Sequence, residues 1–218
     1  MSKSSRAFYS HKDGIGLAAL ERSDLPLLTQ LKRESWWGTH HLTIATEESQ
    51  SRWFDSIGVD ELYLLAVTLD DRFSYDPGAP VGLAVYTGID CLNRSLRISG
   101  SIFEEKRKPE VVSAAFSSGF DFAFEMLNVR RVEAEVLASN RPAQKVEIDH
   151  LGFVVEGVRR EAVYKCGQYF DSIQLGMLRS EWEASPRVES YEGCCNTDFN
   201  PRIAQRSASR WSKSTLGD

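Results

Sequence analysis

VRRVEAEVLASNRPAQ, residues 129–144, and LGFVVEGVRREAVYKCGQYFDSIQLGMLRSEW, residues 151–182, decide the fold. Val132–Leu137 alternates apolar and acidic residues, the pattern of a strand with one buried face. Asn140 closes that strand, and Pro142–His150 reads as a short helix. Leu151-Gly152-Phe153 turns into a strand running to about Glu156, and Tyr169–Leu178 is the last strand. Arg159, Arg160 and Lys165 then fall in the loop between these two strands.

Working back from this stretch, Pro109 sits where a helix should begin. Val112, Phe116, Phe120, Phe124 and Leu127 follow at helical spacing, so Glu110–Leu127 carries one buried stripe. Glu61–Leu69, Val81–Ile89 and Ser95–Phe103 read as strands, with a turn-rich connection over Asp70–Pro80 and a tight turn over Asp90–Arg94. Gly16–Leu20 is a short strand, a helix opens at Ser23-Asp24 and runs through Glu34, and Thr46 starts a second one, Glu47–Ile57. The order β-α-α-β-β-β-α-β-α-β-β implies parallel pairing across a helix and antiparallel pairing at the hairpins. The expectation is an α/β fold: a mixed, twisted sheet of about seven strands with helices on both faces. Residues 1–182 form this domain, and 183–218, poor in aliphatics, read as a flexible or partner-ordered tail through which the chain could self-associate.

Composition narrows the function. A chain of 218 residues with 42% hydrophobic and 11% aromatic residues can bury a real core. The net charge of −5 argues against nucleic acid held by bulk charge. No apolar run is long enough to span a membrane, and the first residues lack a secretory h-region. Cys91, Cys166, Cys194 and Cys195 form no CxxC pair and no zinc spacing, which fits reduced thiols in a cytoplasm and no metal site.

Taken together, Asn140, the short helix, Gly152-Phe153, Glu156-Gly157, a basic stretch, Gly167, Asp171 and Glu181-Trp182 resemble the second half of a GNAT-superfamily N-acyltransferase. The resemblance spans about Gly16 to Trp182 and is closest to the branch containing the ribosomal-protein N-terminal acetyltransferases. It implies that two central parallel strands, here Ser95–Phe103 and Val132–Leu137, splay apart at their C-terminal ends. Acetyl-CoA would lie in that gap, its pantetheine pairing with the strand edge near Ile102 and Phe103 and with Asn140. Asn140→Ala is then expected to weaken CoA binding with little change in stability. The pyrophosphate would rest on the start of the following helix, between Arg107 and Ser113, with Lys108, Glu110, Val111 and Val112 contributing.

The same resemblance exposes a departure. Arg107-Lys108-Pro109-Glu110 stands where the family usually has Arg-Gly-x-Gly, so both glycines that let the backbone approach phosphate are absent. Lys108 could supply a compensating charge, whereas Glu110 would repel the pyrophosphate unless it turned away. The family's tyrosine, seven residues after the Asn, is replaced by Glu147, which could act as a base; His150 is a second titratable candidate. The loop holding Trp36, Trp37, His40 and His41 would form one wall of the acceptor site. Arg159 and Arg160, with Lys165, would hold an acidic acceptor or peptide carboxylate. The function expected is acetyl transfer from acetyl-CoA to a primary amine, either a protein N-terminus or a small molecule. The alternative is a GNAT-fold protein that has lost catalysis and serves in assembly.

Overall fold

The computed structural model describes residues 7–40 and 44–185, so His41 and the tail beyond 185 lie outside the described residues. Among these, eight strands build one sheet: β1 Phe8–Lys12, β2 Ile15–Ala19, β3 Leu62–Thr68, β4 Pro80–Asp90, β5 Ser95–Ile102, β6 Arg131–Leu137, β7 Val154–Lys165 and β8 Gln168–Leu178. Their spatial order is β1-β2-β3-β4-β5-β6-β8-β7. All neighbours are antiparallel except β5 and β6. The sequence reading lacked β1, which forms an edge hairpin with β2 across the Asp13-Gly14 turn, both residues at positive φ.

Five helices cover the sheet: α1 Leu25–Ser35, α2 Glu47–Asp55, α3 Pro109–Asp121, α4 Arg141–Gln144 and α5 Arg179–Ala184. Both α3 and α4 run on into π-helical turns, Phe122–Met126 and Lys145–His150. α2 starts at a capping box, Thr46 Oγ1 accepting from the Ser49 amide at 3.1 Å while Ser49 Oγ accepts from the Thr46 amide. Alternation along the strands sorts side chains to the two faces. Leu64 and Ala66 join the larger core with Val111, Phe120, Phe124 and Trp182, whereas Leu83 and Phe103 join a smaller one with Leu25, Leu28 and Leu31 of α1. α3 and its continuation thus cover one face, and α1 with α2 the other.

The expected loop holding Arg159, Arg160 and Lys165 is instead part of β7. β7 and β8 are joined by a two-residue turn, Cys166-Gly167, between the paired Lys165 and Gln168. Both turn residues have positive φ, 49° and 83°, the conformation whose twist suits a tight hairpin. Two bulges, between Val155 and Gly157 and between Arg159 and Val163, keep the long strand in register with β8.

Candidate active site

β5 and β6 pair over three rungs only: Ser95 with Arg131, Leu96 with Val132, and Arg97 with Glu133. Past Arg97, Ile98–Ile102 keep their pairing with β4, and Ala134–Leu137 keep theirs with β8, but the two strands no longer meet. This is the splay, and it leaves the edge of β5 facing a gap. An apolar groove open to solvent lies over the sheet, lined by Ala66, Leu83 and Ala84, by Ile98–Ile102 of β5, and by Ala115, Phe116 and Gly119 of α3. A chain carrying amides could add to that edge as a strand does.

α3 starts at Pro109, ahead of the groove-lining Ala115. Ile102 and Phe103 are buried, one in each core, so only their backbones could serve a ligand. Val111 and Val112 are likewise buried by side chain, and the Val112 amide already donates to the Lys108 carbonyl at 2.9 Å. That leaves the amides of Glu110 and Val111 as the helix's orphan donors, since Pro109 has none. Arg107 donates from Nη2 to the Ile102 carbonyl at 3.1 Å. Lys108 places its ammonium 4.9 Å from the Tyr75 ring centre, and Glu110 is exposed. His150 hydrogen-bonds the Ser113 hydroxyl at 3.0 Å, joining α4's π-turn to the first turns of α3.

Asn140 caps α4. Its Oδ1 accepts from the Ala143 amide at 3.3 Å, and Nδ2 donates to the Gly38 carbonyl at 3.5 Å. A Cβ on Gly38 would lie 2.8 Å from that Nδ2, so glycine is what lets the loop come this close. The cap adds a modest stability effect to the expectation that Asn140→Ala changes stability little. Losing the cap should cost about 1 kcal/mol, read as a melting temperature about 2–4 °C lower.

The Trp36–Thr39 segment is fastened from the other side by Lys165. Its ammonium donates to the carbonyls of Trp36 at 2.7 Å, Trp37 at 3.4 Å and Thr39. Lys165 is buried, which pulls its pKa below the usual lysine value. It is thus a brace for the aromatic loop and not a free charge awaiting an acidic acceptor. Trp36 and Trp37 remain 40% and 46% exposed as residues, available as a wall. Arg160 is exposed on the edge strand, and Arg159 reaches back to Glu135 at 3.6 Å.

Glu135 is the residue the sequence reading missed. It lies on β6 two positions past the last parallel rung, on the face opposite the core residues Val132, Ala134 and Val136. Gln174 donates to its Oε2 at 3.2 Å and the Ser172 hydroxyl at 3.4 Å. Arg97 stands 3.7 Å away. His40 Nε2 hydrogen-bonds Ser172 Oγ at 2.9 Å, making a chain from the aromatic loop to the carboxylate. Burial pushes the Glu135 pKa up, but the Gln174 hydrogen bond and the positive charges of His40, Arg97 and Arg159 outweigh it and hold the group below its ordinary value.

Glu147 is the opposite case. It lies on the π-turn of α4, and its Oε2 is buried with no hydrogen-bond partner. Burial raises its pKa to about 8. At neutral pH it is mostly the protonated acid, where the sequence led to the expectation of a base.

These features are those of a fold built to lay a thioester against a strand edge. Residues 19–174 match the acetyltransferase (GNAT) domain, and the chain belongs to that family. It is an acetyltransferase with acetyl-CoA as its acetyl donor. YdaF of Bacillus subtilis (strain 168), which carries a ribosomal N-acetyltransferase name, is 29% identical over 109 residues. That match spans 50% of this chain and 58% of YdaF. YokL of the same organism, a prophage-derived uncharacterized N-acetyltransferase, is 24% identical over 78% of this chain and 93% of its own. The spermidine N-acetyltransferase of Vibrio cholerae, solved with CoA and spermine, superposes with a TM-score of 0.68 at 20% identity, over 78% of this chain and 98% of that one. Among the described residues no helix is long and apolar enough to cross a membrane, and no group of three or more His, Cys, Asp or Glu side chains is placed to hold a metal ion.

Proposed function

We propose that the protein N-acetylates a primary amine that reaches the thioester past the Trp36–Thr39 loop, with Glu135 receiving the amine and Glu147 protonating the departing thiolate. The observation that carries this reading is the pair of carboxyl groups driven in opposite directions, Glu135 ionised and Glu147 held neutral to about pH 8. Two titratable groups separated in this way divide the acid and base work of one reaction. An ionised carboxylate attracts the acceptor's ammonium and takes its proton. The free amine attacks the thioester carbonyl carbon, the carbon–sulfur bond breaks, and CoA thiolate leaves. A neutral carboxylic acid gives that sulfur its proton. The exposed Trp36 and Trp37 favour an acceptor with an apolar or planar body beside its amine. A scaffold without catalysis would have no use for an unpartnered buried acid, so this geometry disfavours the inactive alternative.

The donor end is tested through the phosphates. Arg107, Lys108 and the Glu110 and Val111 amides are proposed to replace the family's glycine turn in holding the pyrophosphate. Changing Arg107 and Lys108 together to Ala should lower CoA affinity more than tenfold, since charge-assisted bonds contribute roughly 1.5–3 kcal/mol each. Glu110→Gln should leave affinity equal or higher, because it removes a negative charge from the same helix end. Titration calorimetry reads both. CoA affinity indifferent to the double change would place the phosphates elsewhere.

A further inference from the structure

Lys106, Arg107 and Lys108 are three consecutive cations between β5 and α3. Arg107 turns to the Ile102 carbonyl, but its two neighbours do something else. The Lys106 and Lys108 ammonium groups converge on one aromatic ring, lying 4.7 Å and 4.9 Å from the centre of Tyr75. Tyr75 comes from the connection between β3 and β4 and packs against the larger core. Its hydroxyl donates to the Glu105 carbonyl at 3.4 Å. The ring is thus a fixed post holding two like charges. Neither lysine has an ion-pair partner among the described residues. Two ammonium groups drawn to one ring without a counterion repel each other, and an anion of roughly two charges would relieve both.

CoA offers such an anion. Besides its pyrophosphate it carries a phosphate monoester on the ribose, and a phosphate monoester bears a charge of about −1.5 to −2 near neutral pH. We infer that Lys106, seated on Tyr75 beside Lys108, forms a subsite for the ribose 3′-phosphate of CoA, next to the pyrophosphate that Lys108 helps hold at the start of α3. The inference rests on the donor binding along the β5 edge, as proposed above. Lys106 belongs to the turn Glu104–Lys106, ahead of α3, so it adds a contact that the helix end does not supply. Lysine suits the task because its ammonium acts as a point charge on phosphate, and the aromatic face holds it in place while the site is empty.

The test compares CoA with 3′-dephospho-CoA by calorimetry on the full chain. Wild type should bind CoA at least tenfold more tightly than the dephospho form. Lys106→Gln should bring the two within about threefold while leaving dephospho-CoA affinity unchanged. Tyr75→Leu should act in the same direction, and Tyr75→Phe, which keeps the ring, should retain the preference. Equal affinities in wild type would overturn the subsite and leave the acetyltransferase reading standing. Lys106→Gln weakening both ligands equally would overturn it too, because the charge would then serve the pyrophosphate. Failure of wild type to bind either ligand would overturn both readings.

Discussion

Glu147→Gln is expected to lower kcat about 100-fold and to make the protein more stable at pH 8. The activity loss follows from removing the proton source for the thiolate, at the low end of what a positioned acid contributes, roughly 10²–10⁴. Acetyl-CoA affinity should change by less than twofold, since the amide keeps the shape of the protonated acid. The stability gain follows from linkage. The unfolded carboxyl titrates near 4.3, whereas the folded one titrates at about 8. Between those values the folded chain holds a proton that the unfolded chain has released. Stability is therefore full below the unfolded value, falls as pH rises through the folded one, and is level above it. The slope is at most about 1.4 kcal/mol per pH unit. Gln has no proton to lose, so the variant's melting temperature should stay flat where the wild type's declines, with the gap widest at pH 8 and above. In turnover, the wild type should lose kcat as pH passes about 8, and the variant should not show that limb. A wild type whose melting temperature is flat from pH 5 to 8 would refute the buried-acid assignment.

Glu135→Gln is expected to damage the acceptor side instead. Its carboxylate is held ionised by Gln174, His40, Arg97 and Arg159 in a partly buried place, where a charge contributes more than at the surface. Taking that charge away leaves the arginines without their counterion and gives an incoming ammonium nothing to pair with. kcat/KM for the amine should fall at least 100-fold, mostly through KM, with the KM for acetyl-CoA within threefold of wild type. Steady-state kinetics with each substrate varied reads the split. A drop confined to kcat at unchanged amine KM would make Glu135 a pure proton acceptor and leave the ammonium to another group.

Much of the sheet can be read from the chain because alternation sorts side chains without tertiary information. The apolar runs of β3, β4 and β5 and the alternation of β6 are of this kind, whereas Glu147 was singled out only through the family resemblance. β1 was invisible for a physical reason. Phe8 and Tyr9 are adjacent and not alternating, and the segment is a strand because β2 offers it an edge. β7 was cut short because Arg159-Arg160-Glu161 breaks the apolar pattern, although Cys166-Gly167 marked the turn that ends it. Glu135 was passed over because an acidic residue alternating with valines reads as the solvent face of a half-buried strand. Its place in the site depends on where β5 stops pairing and on a loop more than 90 residues away that brings His40 to Ser172. Lys165 was misassigned for the same reason, since its three carbonyl partners lie in that loop.

The three rungs between β5 and β6 have a consequence for how the chain assembles and breathes. They divide the sheet into two contiguous stretches, residues 8–102 and 131–178, each paired within itself. β6 meets β8 along seven rungs, more than twice the number at the seam. Pairing across the seam also requires α3 to close a long connection first, so its entropy is spent before its few hydrogen bonds return anything. Among the described ladders the seam has the fewest rungs, so the fewest hydrogen bonds resist its opening. A small angular parting there leaves every other ladder intact, so a bulky thioester can enter and leave edge-on while both halves stay folded.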